Sequence, residues 1–414
     1  MPASITSESV TEAAAIIGTT VARTPCPESH RLSDLAGCRV YCKLENLQRT
    51  GSFKERSAAH VLARLPDPAR RRGVIAASAG NHATALAYHA ERLGIPVTVV
   101  MPKDAPLAKV QSCRRLGARV VLHGEGFGDA RRHADELAAE ASLTYIHGFD
   151  NPHVIAGQGT AALEIIEQAP DVEAIVVPVG GGGLIAGIAA ALAERYPEIE
   201  VIGVEPERSA SWAAATASGA PVDVPPQPTL ADGLAVPAIG ELAFAVARPH
   251  VGRVVRVSED DLSLAVLRLL EMEKSVVEGA GAASLAALMH PDLADLAGRC
   301  VVIMLCGGNI DPLVLRRVIE YGLARDGRLV RLLATVSDRP GGLNRFTHAV
   351  AQLGGSIQHL QHDRVFAGPD VHRVRIDCTI ETRDRQHADL LQAELADAGF
   401  IETVERHPDP GPPL

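Results

Sequence analysis

Gly51-Ser52-Phe53-Lys54-Glu55-Arg56 is the stretch around which the chain is organised. The residues just before it, Val40 to Glu45, alternate apolar and polar side chains and predict a strand. Asn46 to Ser52 is polar and indicates a loop, with Ser52 as the N-cap of a helix from Phe53 to Leu65. Lys54 would then lie in the first turn of that helix. The positive end of the helix dipole would lower the pKa of its ammonium group and favour a nucleophilic amine.

The composition narrows the possible class of protein. The 414 residues are enough for two or three domains, and the 47% hydrophobic content, rich in alanine and glycine, indicates a helix-rich α/β protein. Aromatic residues make up 3% and the net charge is −10, so we expect no nucleic-acid partner and no membrane-surface partner. No signal peptide pattern is visible, and no apolar stretch approaches the roughly 20 residues of a membrane span. The seven cysteines form no CxxC pair, which favours a soluble cytoplasmic protein with reduced thiols.

Two series of short apolar strands alternating with helices follow one another along the chain. The first runs from Val74 to Ile146 and the second from Ala174 to Leu305. This alternation predicts an α/β fold with open parallel sheets covered on both faces. After Arg325-Asp326-Gly327 the pattern changes to β-α-β-β-α-β, the order of a small ferredoxin-like α+β domain.

Gly180-Gly181-Gly182-Gly183 follows a predicted buried strand and opens a helix. Residues without a Cβ let backbone N–H groups approach a phosphate, whose charge the helix dipole favours. A dinucleotide site is the rival interpretation, because Glu205 ends the next strand about where a ribose-binding acid would lie. The chain shows no separate glycine turn and no residues for hydride chemistry, which favours simple phosphate binding.

Two more polar turns end predicted strands. Ser78-Ala79-Gly80-Asn81-His82 could bind a carboxylate or a ring hydroxyl through Ser78, Asn81 and the helix-start amides, or could simply cap the helix. Cys306-Gly307-Gly308-Asn309 follows the apolar strand Val301–Leu305. Because ligands of open parallel sheets gather at the carboxyl ends of strands, these turns, Lys54 and the glycine loop could converge on one crevice.

A reactive lysine together with a phosphate cradle is what pyridoxal phosphate requires. The motifs resemble those of fold-type II pyridoxal-phosphate enzymes, and most of all the threonine dehydratase (threonine ammonia-lyase) family, over about residues 5–325. The tail, with Asp338-Arg339-Pro340-Gly341-Gly342-Leu343, resembles an ACT-type regulatory domain. The implied fold is two open parallel-sheet subdomains plus a small ACT-like domain. Its implied limits are 1–327 for the catalytic domain, with a smaller subdomain at about 46–148, then 328–405 for the ACT-like domain and 406–414 for a tail.

The resemblance implies roles in holding the cofactor. Lys54 would bind it covalently and then serve as general acid and base. Phe53 would pack against its ring, Asn81 would hydrogen-bond the ring hydroxyl, and Cys306 would face the ring nitrogen as a neutral thiol that suits β-elimination. Its phosphate would be held by the residues Gly180, Gly181, Gly182, Gly183 and Leu184.

The resemblance also implies the substrate and the reaction. The substrate carboxylate would be bound by Ser78, Ala79, Gly80, Asn81 and His82. Serine racemases of this fold look to have a serine, as the base on the second face of the substrate, at the position of Ala79. The methyl group of Ala79 cannot transfer a proton, which favours a lyase. We expect deaminating dehydration of L-threonine to 2-oxobutyrate and ammonia, with L-serine giving pyruvate more weakly. A serine racemase, another β-elimination or β-replacement enzyme and a non-enzymatic amino-acid sensor stay open, although Lys54 with both glycine loops argues against the sensor.

The resemblance further implies an effector site, a possible cation site and an oligomeric assembly. Isoleucine or valine would bind the ACT-like domain at Asp338, Gly341, Gly342, Leu343 and Asn344, unless that domain serves only for oligomerisation. A cation near Glu205 is a further candidate, although Ser209 and Ser211 stand where a second acid would be expected. The assembly would be a homodimer or a homotetramer.

Overall fold

The computed structural model describes residues 5–225, 227–364 and 372–405, so the predicted tail at 406–414 lies outside the described residues. The chain divides into two compact units, one ending at Ile310 and one beginning at Asp311. The helix Pro312–Arg325 therefore belongs to the second unit, whereas the sequence suggested a boundary after Gly327. The functional domain limits stay predictions.

The strands and helices are numbered here in chain order. The strands are β1 Arg39–Lys43, β2 Val74–Ala77, β3 Val97–Met101, β4 Arg119–Leu122, β5 Thr144–Tyr145, β6 Ala174–Pro178, β7 Glu200–Pro206, β8 Val251–Val257, β9 Cys300–Met304, β10 Leu329–Ser337, β11 Ser356–Asp363, β12 Arg373–Glu381 and β13 Ile401–Glu405. The helices are α1 Ser7–Ile17, α2 His30–Ala36, α3 Lys54–Ala63, α4 Asp67–Arg72, α5 Asn81–Leu93, α6 Leu107–Arg115, α7 Phe127–Ala141, α8 Pro152–Gln168, α9 Gly183–Leu192, α10 Ser211–Ser218, α11 Glu241–Ala247, α12 Glu259–Glu273, α13 Gly279–Leu288, α14 Pro312–Arg325, α15 Gly342–Gln352 and α16 Arg385–Asp397.

The first unit contains two parallel sheets, as the alternating pattern predicted. The larger has the strand order β1-β9-β6-β7-β8 and the smaller the order β4-β3-β2-β5. Their central strands are buried along their whole length, which explains why they are continuous apolar runs in the sequence. The strands of the smaller sheet all lie within the range 46–148 expected for the smaller subdomain. Edge strand β8 was not predicted, because arginines interrupt its apolar pattern.

The second unit confirms the predicted β-α-β-β-α-β order. Its four strands form one antiparallel sheet in the order β11-β12-β10-β13, a ferredoxin-like arrangement that is consistent with an ACT-like domain. Strand β10 alternates buried residues with half-buried or exposed ones, because one face of the sheet packs against helices α15 and α16. Phe346, Val350, Leu391 and Leu395 from those helices are fully buried in a core of their own.

None of the helices within the described residues is both long enough and apolar enough to cross a membrane.

Candidate active site

The loop before Lys54 is joined by hydrogen bonds to the turn that contains Cys306. The backbone N–H of Phe53 donates to the carbonyl oxygen of Cys306 (3.0 Å), and that of Gly308 donates to the carbonyl oxygen of Gly51 (2.9 Å). Strands β1 and β9 are parallel neighbours, so both loops leave the sheet at the same edge. Helix α3 begins at Lys54, and Ser52 is not its N-cap: the helix has no side-chain cap, and the prediction of that cap was wrong.

Lys54 is in the first turn of α3, as predicted, and its amine lies in the interior of the site. Nζ donates to the carbonyl oxygen of Gly148 (2.8 Å) and lies 4.9 Å from the centre of the Phe53 ring. Burial lowers the pKa of Lys54 to about 8, and nearby Cys306 opposes this shift. Loss of hydration therefore accounts for the shift that the sequence argument assigned to the helix dipole.

The carbonyl acceptor of Lys54 belongs to a segment after β5 that sequence reasoning missed. Nε2 of His82 donates to the carbonyl oxygen of Ile146 (3.1 Å), and Nδ1 of His147 accepts the backbone N–H of Asp150 (2.9 Å). Burial lowers the pKa of His82 to about 3 and that of His147 to about 4, so both rings are neutral. These neutral rings hold the backbone at Gly148. The signal available in the sequence was His147-Gly148-Phe149-Asp150 at the carboxyl end of a strand.

The turn from Ser78 to His82 presents free amides at the start of α5. Ser78 Oγ accepts the backbone N–H of Gly80 (3.2 Å), and the helix has no side-chain cap. Within the described part of the chain, the N–H groups of Asn81, His82 and Ala83 face no hydrogen-bond acceptor. Such amides at a helix N-terminus suit an anion such as a carboxylate.

The glycine loop has the form of a phosphate cradle. Gly182 adopts a left-handed conformation (φ 84°) at the start of α9, which lacks a side-chain cap. Among the described residues, no acceptor faces the N–H groups of Gly180, Gly181, Gly182, Gly183 and Leu184. A Cβ at Gly181 would lie 2.2 Å from the Phe149 ring, so the segment that holds Lys54 also packs against this loop. Free amides in this arrangement bind a phosphate through backbone donors and the helix dipole.

Cys306 is 3% exposed, and its Sγ lies 3.5 Å from the carbonyl oxygen of Met304. Burial raises the pKa of Cys306 well above its usual value, so the group is a neutral thiol. A neutral thiol is a poor proton holder for a ring nitrogen, in keeping with its predicted role.

Asn81 is held by two side chains from the larger-sheet part of the unit. Its Nδ2 donates to Oε1 of Glu278 (2.7 Å), and its Oδ1 accepts from Nδ2 of Asn309 (2.7 Å). Asn309 also donates to the carbonyl oxygen of Thr50 in the lysine loop. These bonds bring together turns that follow β1, β2 and β9. Glu278 was missed because it stands alone among apolar and glycine residues in the sequence.

The donor set fits pyridoxal phosphate. An amine with a lowered pKa, a cradle of free amides and a neutral thiol lie in loops that contact one another. In addition, Ser52 Oγ and His82 Nδ1 are buried and have no hydrogen-bond partner among the described residues. Buried polar atoms without partners are costly in a folded protein and are expected where a ligand supplies the missing partner.

Glu205 lies near the carboxyl end of β7. Its carboxylate accepts the backbone N–H groups of Trp212 (2.8 Å) and Ala213 (3.1 Å), and burial raises its pKa to about 7. Ser211 Oγ donates to the carbonyl oxygen of Gly180 (3.5 Å), which links this region to the cradle. The described residues contain no group of three or more histidine, cysteine or acidic side chains that could hold a metal. A cation near Glu205 stays a prediction.

A buried ion network anchors α3 two residues beyond Lys54. Arg56 donates to both carboxylate oxygens of Glu45 (2.7 and 2.8 Å) and to both of Glu164 (2.7 and 2.8 Å). Lys43 donates to Glu164 (2.6 Å). Arg56 is 1% exposed, and Lys43 and Glu45 are fully buried. Two cations and two anions thus balance one another where an unpaired charge would be very unfavourable.

The predicted effector residues form the turn between β10 and α15. Asp338 accepts from Nε of Arg364 (3.0 Å), and Gly341 has a φ of 91° at the start of α15. A Cβ at Gly342 would lie 1.9 Å from the carbonyl oxygen of Ser337, so the turn is tight. Leu343 and Asn344 are exposed beside it.

The fold and this site define a pyridoxal-phosphate enzyme of fold type II. The family model described as "Pyridoxal-phosphate dependent enzyme" matches residues 17–307, and the chain belongs to this family. Its cofactor is therefore pyridoxal phosphate.

The chain is also similar to individual proteins of known name. The chain is 42% identical over 396 residues to the L-threonine ammonia-lyase of Thermotoga maritima, covering 96% of this chain and 98% of that protein. The processed form of threonine deaminase isoform 2 from Solanum lycopersicum has a TM-score of 0.71 at 35% identity, covering 78% of this chain and 95% of that one. Serine racemase from Dictyostelium discoideum has a TM-score of 0.70 at 34% identity, with 74% and 99% covered.

Proposed function

We propose that the protein catalyses the deaminating dehydration of L-threonine to 2-oxobutyrate and ammonia, with L-serine as a weaker substrate. The observation that carries this proposal is the partly buried amine of Lys54, which donates to Gly148 in a segment that packs against His82 and against the glycine loop. The likeness to the Thermotoga maritima L-threonine ammonia-lyase, which extends over nearly the whole of both chains, supports the choice of substrate.

Each part of the site has a task in this reaction. Bound pyridoxal phosphate supplies the electron sink that makes the Cα–H bond of an amino acid acidic. The amides of the glycine loop would hold its phosphate, and Asn81 and Cys306 would contact its ring. The free amides at the start of α5 bind the substrate carboxylate and fix the orientation of Cα.

Lys54 moves the protons. Its pKa of about 8 leaves a useful fraction of free amine near neutral pH, which can remove the α-proton. The β-hydroxyl then leaves as water, and a second water releases ammonia and the 2-oxo acid, so that the atoms balance. The methyl group of Ala79 offers no base on another face of the substrate, which favours elimination over racemisation.

Release of 2-oxobutyrate from L-threonine by the cofactor-loaded protein tests this proposal. We expect Lys54→Ala to lower the rate by about a thousandfold or more, because the variant loses its general base and its covalent contact with the cofactor. Lys103→Ala is the matched control, since that lysine is exposed in a surface ion pair. A wild-type protein that holds the cofactor but releases no 2-oxo acid from threonine or serine would contradict the proposed substrate.

A racemase is the second candidate, favoured by the likeness to the Dictyostelium discoideum serine racemase. The same reaction mixtures distinguish the two functions. D-serine formed from L-serine faster than pyruvate would favour the racemase, whereas pyruvate without D-serine supports the lyase.

We further propose that isoleucine or valine binds the turn from Asp338 to Asn344 and changes the rate. The tight turn with the N-terminus of α15 supports an amino-acid carboxylate there. Titration with L-isoleucine, followed by calorimetry and by the rate of 2-oxobutyrate release, tests this. A domain used only for oligomerisation would give neither heat nor a change in rate. A homodimer or homotetramer in the cytoplasm stays a prediction, for which light scattering gives the oligomeric state.

A further inference from the structure

Glu278 is a buried residue whose carboxyl group takes no part in the proposed reaction. It precedes α13, is 6% exposed, and its backbone N–H donates to the carbonyl oxygen of Gly307 (3.0 Å). A Cβ on Gly307 would lie 2.3 Å from Oε1 of Glu278, so the carboxyl group is pressed against the turn that contains Cys306. Burying such a group is unfavourable unless its oxygens have partners, and its main partner is Asn81.

The two side chains on Asn81 fix which way its amide points. Glu278 takes one N–H of Nδ2, and Asn309 supplies an N–H to Oδ1, both at 2.7 Å. A flipped amide would set an oxygen against the Glu278 carboxylate and an NH₂ group against the Asn309 NH₂ group, and neither pair could hydrogen-bond. The donor of Asn81 that stays uncommitted is therefore its second N–H.

We propose that Glu278 is a positioning residue that, together with Asn309, commits Asn81 to donate a hydrogen bond to the ring oxygen of the cofactor in its deprotonated form. This rests on the proposed placement of that ring oxygen beside Asn81. A donor next to a phenolate oxygen stabilises the anion, whereas the amide oxygen of a flipped Asn81 would repel it. Glu278 thus acts on the ring through the amide and does not itself touch the substrate.

The charges around Glu278 are compatible with this role in both of its protonation states. Burial and the neighbouring Asp232 raise the pKa of Glu278 to about 7, whereas Asn81 and Lys109 oppose the rise. Lys109 forms an ion pair with Asp232 (3.1 Å). Cys306, in the turn against which Glu278 packs, is a neutral thiol. A neutral carboxyl group keeps its carbonyl oxygen as an acceptor, so Asn81 stays oriented through the titration.

Substitutions that remove or keep the acceptor provide the test. Glu278→Met keeps the length of the side chain and removes both oxygens, whereas Glu278→Gln keeps one acceptor oxygen without the charge. We expect Glu278→Met to bind pyridoxal phosphate about tenfold more weakly, the effect of one lost charge-assisted hydrogen bond. Its bound cofactor should also lose the ring-oxygen proton at a higher pH, seen in the absorbance spectrum. Glu278→Gln should restore both properties toward the wild type.

The controls separate this inference from the proposed placement of the ring. Glu200→Met removes a carboxylate at the amino end of β7, on the opposite edge of the sheet, and should leave affinity and spectrum unchanged. If Asn81→Asp leaves both unchanged, the placement of the ring oxygen is wrong. If Asn81→Asp alters them and Glu278→Met does not, the positioning role is overturned. Should Glu278→Met fail to fold, Asn309→Leu removes the other half of the clamp, and an unaltered spectrum there overturns the proposal equally.

Discussion

At the scale of single residues, the chemistry depends on where water is excluded. Burial lowers the pKa of Lys54, whose Nζ donates to the carbonyl oxygen of Gly148 and lies beside the Phe53 ring. The rings of His82 and His147 are neutral for the same reason, so no second cation competes with the amine for its acceptor. These two neutral histidines instead hydrogen-bond to the backbone on either side of Gly148.

The pKa of Lys54 leads to a prediction on cofactor uptake. The ammonium form cannot attack an aldehyde, and the free amine forms as the pH rises through about 8. We therefore expect the rate of covalent cofactor uptake by the apoprotein to rise with pH and to level off above about 8, measured by stopped-flow absorbance. Lys103→Ala should show the same midpoint. A midpoint near the ordinary lysine value of about 10.4 would show that Lys54 is hydrated in solution.

The sequence allowed chemically unusual side chains at the ends of predicted strands to be picked out as candidates, but it did not show which residues contact them. Lys54 and the Ser78 turn were singled out in the sequence because each follows a predicted strand and carries side chains suited to binding or catalysis. Gly148 contributes only a carbonyl oxygen, which every residue has, so no side-chain pattern could mark it. Glu278 is recognisable only through its contact with Asn81, almost 200 positions away in the chain.

At the scale of elements, the glycine loop depends on close approach of neighbouring side chains. Gly181→Ala would place a Cβ 2.2 Å from the Phe149 ring. We expect the variant to lose about 1–3 kcal/mol of unfolding free energy and to bind pyridoxal phosphate more weakly, because either the loop or Phe149 must shift. Denaturant unfolding and cofactor titration measure the two effects.

Gly252→Ala is the matched control for this prediction. A Cβ at Gly252, in edge strand β8, meets no atom within 4 Å among the described residues, and the residue is exposed. We expect neither stability nor cofactor affinity to fall. Equal losses in the two alanine variants would mean that the steric argument for the glycine loop is wrong.

Helix α3 carries Lys54 at one end, and the buried ion network holds the helix in place. Arg56→Met would leave Glu45 and Glu164 with fewer partners in a site that is almost entirely buried. We expect a loss of about 3–5 kcal/mol in the free energy of unfolding, as for other buried pairs from which one partner is removed. Chemical denaturation of the cofactor-free protein measures it.

Arg64→Met tests whether burial is the cause. Arg64 directly follows α3 and forms an ion pair with Glu12, but both side chains are well exposed. Surface pairs of this kind contribute about 0–1 kcal/mol, so this variant should stay close to the wild type. A loss for Arg56→Met no larger than that for Arg64→Met would contradict a stabilising role of the network.

The elements found from the sequence are those with a clear pattern. The buried strands of both parallel sheets are short apolar runs, and the tail shows the alternation of a half-buried sheet. Strand β8 was missed because it lies at an edge, where arginines replace apolar residues. The N-cap at Ser52 was wrong because the loop pairs with the turn at Gly307, and this tertiary contact overrides the local capping preference.

At the scale of the whole molecule, each of the two compact units has its own hydrophobic core. The unit ending at Ile310 is built around the two parallel sheets, and the unit beginning at Asp311 around an antiparallel sheet and two helices. A core that is complete within one unit allows that unit to unfold by itself. The change of pattern after Gly327 predicted two such units, although helix α14 belongs with the second.

The separate cores predict two thermal transitions in calorimetry of the full chain. A ligand stabilises only the state that binds it, so pyridoxal phosphate should raise the transition of the first unit and leave the other unchanged. Under the proposed regulation, L-isoleucine should do the reverse. A chain ending at Ile310 should keep the cofactor-sensitive transition, its absorbance and 2-oxobutyrate release, and should lose any response to isoleucine. A single transition that both ligands shift equally would mean that the units unfold as one, and the division of tasks between them would fail with it.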